Sequence, residues 1–242
     1  KRRYPTVLKE YWDIQDAVNP YCFMHTLSEQ LPEGQITVTA NGTACVTAFQ
    51  AMTVKKGQRL YTNSGSASMG YDLPAAIGAC VASGGKRIVC IAGDGSIQQN
   101  LQELVTIAFN RYPIKIFVLN NNGYHSIRQT QTNFFGQPLV GVGPESGLGF
   151  PNLEKLADVY GLPYLACRNH AEMPEAIAKA LASDGPIICE VILSLEQQFS
   201  PKMSSKRLED GRMVSKPLED LAPFLSKAEL ADNMLIDLLP EE

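Results

Sequence analysis

The sequence predicts an α/β protein: a doubly wound parallel sheet of about six strands with helices on both faces, followed by an extended C-terminal tail. Three observations carry this expectation. Short apolar runs recur along the chain, and several are apolar at successive positions, the pattern of strands buried on both faces. Helical stretches lie between them, so the strands join by crossovers rather than hairpins. The turns between these segments are small and often carry glycine, and no repeat of solenoid length is present.

Taken in order, residues 1–18 are polar and irregular and read as a linker from a preceding domain; a start at Lys1 rather than methionine favours a piece of a longer polypeptide. Asn19 caps a helix with Pro20 at its first position, closed by Pro32–Gly34. Strands are expected at 35–40 (QITVTA), 59–63 (RLYTN), 87–92 (RIVCIA), 114–120 (IKIFVLN), 164–168 (YLACR) and 186–193 (PIICEVIL). The helices between them include LPAAIGACVAS, NLQELVTIAFNR, NLEKLADVYG with Asn152 as cap, and MPEAIAKALAS. Residues 19–193 therefore form the domain, and 194–242 a tail that loses periodicity until about Glu229 and wraps a surface.

Composition narrows the function. With 242 residues and 45% hydrophobic content, one large domain can bury a proper core without staples. A formal net charge of -4, with no basic cluster interleaved with aromatics, argues against nucleic acid as a partner. The six cysteines, at 22, 45, 80, 90, 167 and 189, form no CxxC pair and sit mostly in apolar runs, which fits buried free thiols in a reducing cytoplasm. No apolar run reaches the roughly 18 to 20 residues that span a bilayer, so no membrane partner is expected.

In a parallel sheet, ligands collect at the carboxyl ends of the strands, where helix N-termini present free amides. Two unusual segments sit there: Gly93-Asp94-Gly95-Ser96 after RIVCIA, and Asn120-Asn121-Asn122-Gly123 after IKIFVL. Either alone is usually a turn. Together, each ending an apolar strand of one βαβ unit, they place a carboxylate and amide oxygens at one point. Hard oxygen ligands in so small a number suit Mg²⁺ or Ca²⁺ that keeps positions for phosphate oxygens and water. The flanking glycines let the backbone approach an anion, and Ser96 adds a hydroxyl and an N–H. A metal-bridged diphosphate is the expected ligand.

The segment GDGSIQQNLQELVTIAFNRYPIKIFVLNNNGYHSIRQTQ resembles the diphosphate-binding motif of thiamine diphosphate (ThDP) enzymes. Over roughly Asn19–Leu193 the chain is similar to the C-terminal, diphosphate-binding domain of the acetohydroxyacid synthase and pyruvate decarboxylase superfamily. That resemblance implies Asp94 and Asn121 as side-chain ligands of Mg²⁺, with the Gly123 carbonyl as a third. It implies Gly93, Gly95 and Ser96 around the diphosphate, helped by amides near Tyr124 and His125; read by itself, His125 is equally a surface residue. In NSGSASMGYDLPAAIGA, Met69 stands where the family has a bulky apolar residue that props ThDP in its V shape, and the Ala67 carbonyl would accept from the aminopyrimidine. Read without that match, Met69 is more often plain packing. TANGTACV resembles the family's turn after the first strand and brings Asn41 and Thr43 to the diphosphate.

The resemblance further implies an enzyme that decarboxylates a 2-oxo acid and transfers the acyl carbanion to a carbonyl acceptor. Its activating glutamate would come from a pyrimidine-binding domain of the same or a neighbouring subunit, in a homo-oligomer; any FAD in the full-length enzyme would be bound outside this chain. Pyruvate decarboxylases read NNDGYTIE, with a glutamate where Ile127 stands, which speaks against simple aldehyde release. Acetohydroxyacid synthases carry a tryptophan where Thr130 stands, so a different acceptor is expected, and the tail DGRMVSKPLEDLAPFL is similar to that of acetolactate-synthase-like proteins of surface-polysaccharide pathways. The alternatives are a simple 2-oxo acid decarboxylase and a non-catalytic assembly module that keeps the fold.

Overall fold

A computed structural model describes residues 3–207 and 210–237. The chain divides between residues 197 and 198 into two compact units. The first holds a sheet of six strands: β1 (Ile36–Thr39), β2 (Arg59–Tyr61), β3 (Ile88–Gly93), β4 (Ile114–Asn120), β5 (Tyr164–Cys167) and β6 (Ile187–Ile192). Every pairing is parallel, in the order β2-β1-β3-β4-β6-β5. Five strands fall within their expected windows, and β3 runs one residue past its window, to Gly93.

Among the described residues this unit has seven α-helices: α1 (Pro20–Gln30), α2 (Thr43–Ala51), α3 (Asp72–Ala82), α4 (Glu103–Phe109), α5 (His125–Phe134), α6 (Leu153–Val159) and α7 (Met173–Ala182). The pleat divides the strand side chains between two cores. Val89, Ile91, Phe117, Leu119 and Val191 meet α1, α2 and α7 on one face. Their neighbours Ile88, Cys90, Ile116, Val118 and Ile188 meet α3, α4 and α6 on the other. That is why the strands are apolar at successive positions.

Local chemistry sets the boundaries. The Asn19 side chain accepts from the N–H groups of Tyr21 and Cys22, and Pro20 needs no partner at the first helical position. Asn152 caps α6 in the same way through the Lys155 N–H. Lys115, a cation inside an apolar strand, is buried and donates to the carbonyls of Ser183 and Gly185 just beyond α7, while burial and the nearby Arg87 charge hold its pKa below the usual lysine value.

Three elements differ from expectation. The stretch 39–46, matched to a turn, runs into a helix not expected from the sequence, α2: Gly42 takes φ +59, a left-handed value that starts the helix abruptly, and the small residues of 43–51 give a weak amphipathic signal. The helix expected at 100–111 is shorter, α4 beginning only at Glu103, after a 3-10 turn over Ile97–Asn100. Ahead of α1, Val18 donates to the Ile192 carbonyl and accepts from the Ser194 N–H, extending the β6 region. Tyr11 lies against Tyr21, their ring centroids 5.6 Å apart.

The second unit carries an antiparallel pair, β7 (Ser205–Arg207) with β8 (Met213–Ser215), and α8 (Lys227–Asn233) capped by Ser226. The tail is thus less irregular than its sequence pattern, and the Asp210-Gly211 pair is the turn signal that marks the hairpin. Among the described residues the cysteines are free thiols, five of them buried, and no helix is long and apolar enough to cross a membrane.

Asn19→Ala removes the acceptor for two helix N–H groups and should cost about 1 kcal/mol. For a domain of this size the melting temperature should fall by about 2–4 °C, with Asn19→Asp losing less. Equal loss in both variants, measured by thermal unfolding, would show that the cap is not what Asn19 contributes.

Candidate functional site

The strand order fixes where a ligand can sit. From β1 the chain passes outward to β2, while β3 pairs with the opposite side of β1, so the sheet has its switch point between the carboxyl ends of β1 and β3. A cleft of about 290 Å³ opens there. It is lined by Asn41 and Thr43 after β1, Ala67 and Met69 after β2, Gly93 at the end of β3 with Asp94, Gly95 and Ser96 beyond it, and Asn121, Gly123, Tyr124 and His125 after β4. The sequence-derived set therefore converges on one place, joined by Gly42, Ser126 and Ile127.

Asp94 joins the two motif loops. Its Oδ1 accepts from the Gly95 N–H and its Oδ2 from the Gly123 N–H, both at 2.9 Å. Burial pushes its pKa up to about 6, against the pull of those two N–H groups and the Arg128 charge. Gly95 and Gly123 are required by space: a Cβ on Gly95 would strike the Tyr124 ring, and one on Gly123, at φ +140, the Val142 carbonyl oxygen.

Asn121 is buried, and its amide nitrogen donates to Thr43 Oγ1 at 3.1 Å. Thr43 thereby turns the amide so that Oδ1 faces the other way, and that oxygen is buried with no hydrogen-bond partner. An orphaned buried acceptor is costly unless something else satisfies it. A cation does so. The donor set here is one carboxylate, one amide oxygen and main-chain carbonyls, and among the described residues no group of three or more His, Cys, Asp or Glu side chains could hold a metal by itself. Such a set fits Mg²⁺ completed by phosphate oxygens and water.

Other contacts were not legible beforehand. The Ser96 hydroxyl donates to Asp72 Oδ2 at 2.9 Å and accepts from the Gly70 N–H at 3.1 Å. Its hydrogen is committed inside the protein, so only the main-chain N–H of Ser96 remains to meet an anion. Asp72 is fully buried and its pKa is raised by that burial. With Asn100, whose amide donates to the Gly70 carbonyl at 2.6 Å, this network ties the Met69 loop to the GDGS turn. The Ala67 carbonyl accepts from Asn41 at 2.6 Å, and Ala67 has φ +50. Arg128 donates to the carbonyls of Asn121 and Asn122 at 3.0 and 3.2 Å. Its only signal in sequence is a cation one turn into the helix after NNNG.

Fold and site define a parallel α/β domain with an oxygen-lined cleft at its switch point. The family model "Thiamine pyrophosphate enzyme, C-terminal TPP binding domain" matches residues 40–191, and the chain belongs to that family. It is 35% identical to an acetolactate synthase of Arthrospira platensis over 78% of this chain and 32% of that protein. It is 31% identical to acetolactate synthase 2, chloroplastic, of Nicotiana tabacum over 85% of this chain and 31% of that protein. A large subunit of acetolactate synthase from Pyropia yezoensis is 37% identical over 62% of this chain and 25% of its own length. The chain thus spans about a third or less of the relatives it matches.

Because the folded-state pKa of Asp72 lies above its unfolded value, its contribution to stability is full below about pH 4 and is lost as pH rises through the folded pKa. Asp72→Asn should therefore gain stability relative to the parent as pH goes from about 4 to about 8. A difference in melting temperature that stays constant over that range would contradict a buried, charge-penalised Asp72.

Proposed function

We propose that this chain holds the magnesium diphosphate end of ThDP in an acetolactate-synthase-like carboligase. The observation that carries this is the orphaned Asn121 Oδ1 in the same cleft as Asp94, within a domain of the ThDP family. Asp94, Asn121 Oδ1 and the Gly123 carbonyl would hold Mg²⁺. The main chain around Gly95, Ser96 and Tyr124–His125 would receive the diphosphate. When bound, ThDP supplies the electron sink for decarboxylating a 2-oxo acid and passing the acyl group to a carbonyl acceptor.

The chain's own residues would orient and shield. Met69 and Ile127 bring apolar surface to the cleft, with Met69 held by the Gly70 contacts to Ser96 and Asn100. At Ile127 the cleft has a hydrocarbon side chain and no proton donor, which favours transfer to a second carbonyl over release of an aldehyde. The carboxylate that activates the aminopyrimidine would belong to a pyrimidine-binding domain of the same or a neighbouring subunit. The working form would be a cytoplasmic homo-oligomer.

The test is calorimetry of the full-length enzyme with ThDP and Mg²⁺. The parent should bind ThDP only with the metal, and Asp94→Asn should weaken that binding by more than about 100-fold, beyond what loss of an outer-shell partner causes. Normal cofactor binding by Asp94→Asn would overturn the assignment. A product screen of 2-oxo acids with aldehyde and ketone acceptors should then give ligated hydroxyketones; free aldehyde alone would make the enzyme a simple decarboxylase.

A further inference from the structure

Glu190 is a carboxylate on a strand otherwise made of Ile, Cys and Val, and it is only 9% exposed. A buried charge is unfavourable without partners. Two are present. Its Oε1 accepts from the Asn120 side-chain amide at 2.6 Å, and its Oε2 accepts from the Tyr164 hydroxyl. In the sheet Val118 of β4 lies opposite Glu190, so Asn120, two residues on, reaches it from the same face.

Asn120 carries the contact onward. Its side-chain oxygen accepts from the Asn122 N–H at 2.9 Å, and its main-chain carbonyl accepts from the Leu193 N–H at 2.8 Å. Asn122 has φ +52, a left-handed value that a residue with a Cβ adopts only when its surroundings hold it there. That turn separates Asn121 from Gly123. On its other side Arg128 holds the carbonyls of Asn121 and Asn122.

We propose that Glu190 is a positioning residue for the metal loop, fixing Asn120 so that the Asn120–Gly123 turn is formed before any cation arrives. Glu190 does not line the cleft, and its link to the loop runs through Asn120. Orientation of first ligands by outer partners is a general feature of metal sites. Here the outer partner lies on β6, 70 residues further along the chain than the asparagine it holds.

Two readouts test it, and only the second rests on the magnesium reading. The first is amide hydrogen exchange at Asn122 and Gly123 in the metal-free full-length protein; the second is the Mg²⁺ dissociation constant at saturating ThDP. Glu190→Leu removes the acceptor and should speed exchange at both amides and weaken Mg²⁺ by about tenfold each, while Glu190→Gln, whose oxygen still accepts from Asn120, should stay near the parent. Glu190→Leu that melts earlier yet exchanges and binds as the parent does would reduce Glu190 to packing and overturn the proposal. If the parent binds no ThDP with Mg²⁺, the functional reading fails, and exchange alone decides the brace.

Should Glu190→Leu not fold, the pair can be inverted. Asn120→Asp sets two carboxylates against each other and should loosen the turn. Adding Glu190→Gln restores a donor facing an acceptor and should return exchange to near the parental rate. Failure of the second change to restore it would overturn the proposal.

Discussion

The hydrogen bonds from the Gly95 and Gly123 N–H groups to one carboxylate hold the site together. Asp94 stands at the end of β3 and reaches the loop that follows β4, so the two motif segments cannot separate without leaving a buried charge unpaired. Everything else in the cleft is arranged around that bridge. Thr43 turns the Asn121 amide, Ser96 ties the Met69 loop to the same turn, and the glycines leave room for Tyr124 and the Val142 carbonyl.

The fold supplies the meeting point. Six parallel strands bring their carboxyl ends to one edge of the sheet, and the order β2-β1-β3-β4 opens a crevice where the loops after β1 and β3 diverge. The two cores below it are packed from both faces, so the loops rest on a rigid base. Burial pushes the Asp94 pKa up to about 6, and Asn121 Oδ1 is buried with no hydrogen-bond partner. On the proposed reading a divalent cation would satisfy both at once.

The parts legible in sequence were those with local signals. Continuous apolar runs gave the strands, Asn19-Pro20 gave the first helix, and GDGS with NNNG gave the cleft because strand ends collect in a parallel sheet. What escaped were partners distant in sequence. Ser96 and Asp72 are 24 residues apart, and nothing near either announces that the hydroxyl serves the protein rather than the ligand. Glu190 looks like an interruption of an apolar strand until Asn120, 70 residues away, is seen beside it. The helix at 43–51 escaped for a local reason, since alanine, threonine and a preceding glycine give little amphipathic pattern.

The central claim is that Asp94 and Asn121 hold a divalent cation for a diphosphate. Crystals of the full-length enzyme grown with ThDP and Mn²⁺ in place of Mg²⁺ test it most directly through the anomalous signal of the metal. The account predicts one strong peak bounded by an Asp94 oxygen, Asn121 Oδ1 and the Gly123 carbonyl, with diphosphate oxygens completing the shell at about 2.0–2.3 Å. A peak elsewhere, or a diphosphate bound in the cleft with Asn121 Oδ1 facing no metal, would contradict it.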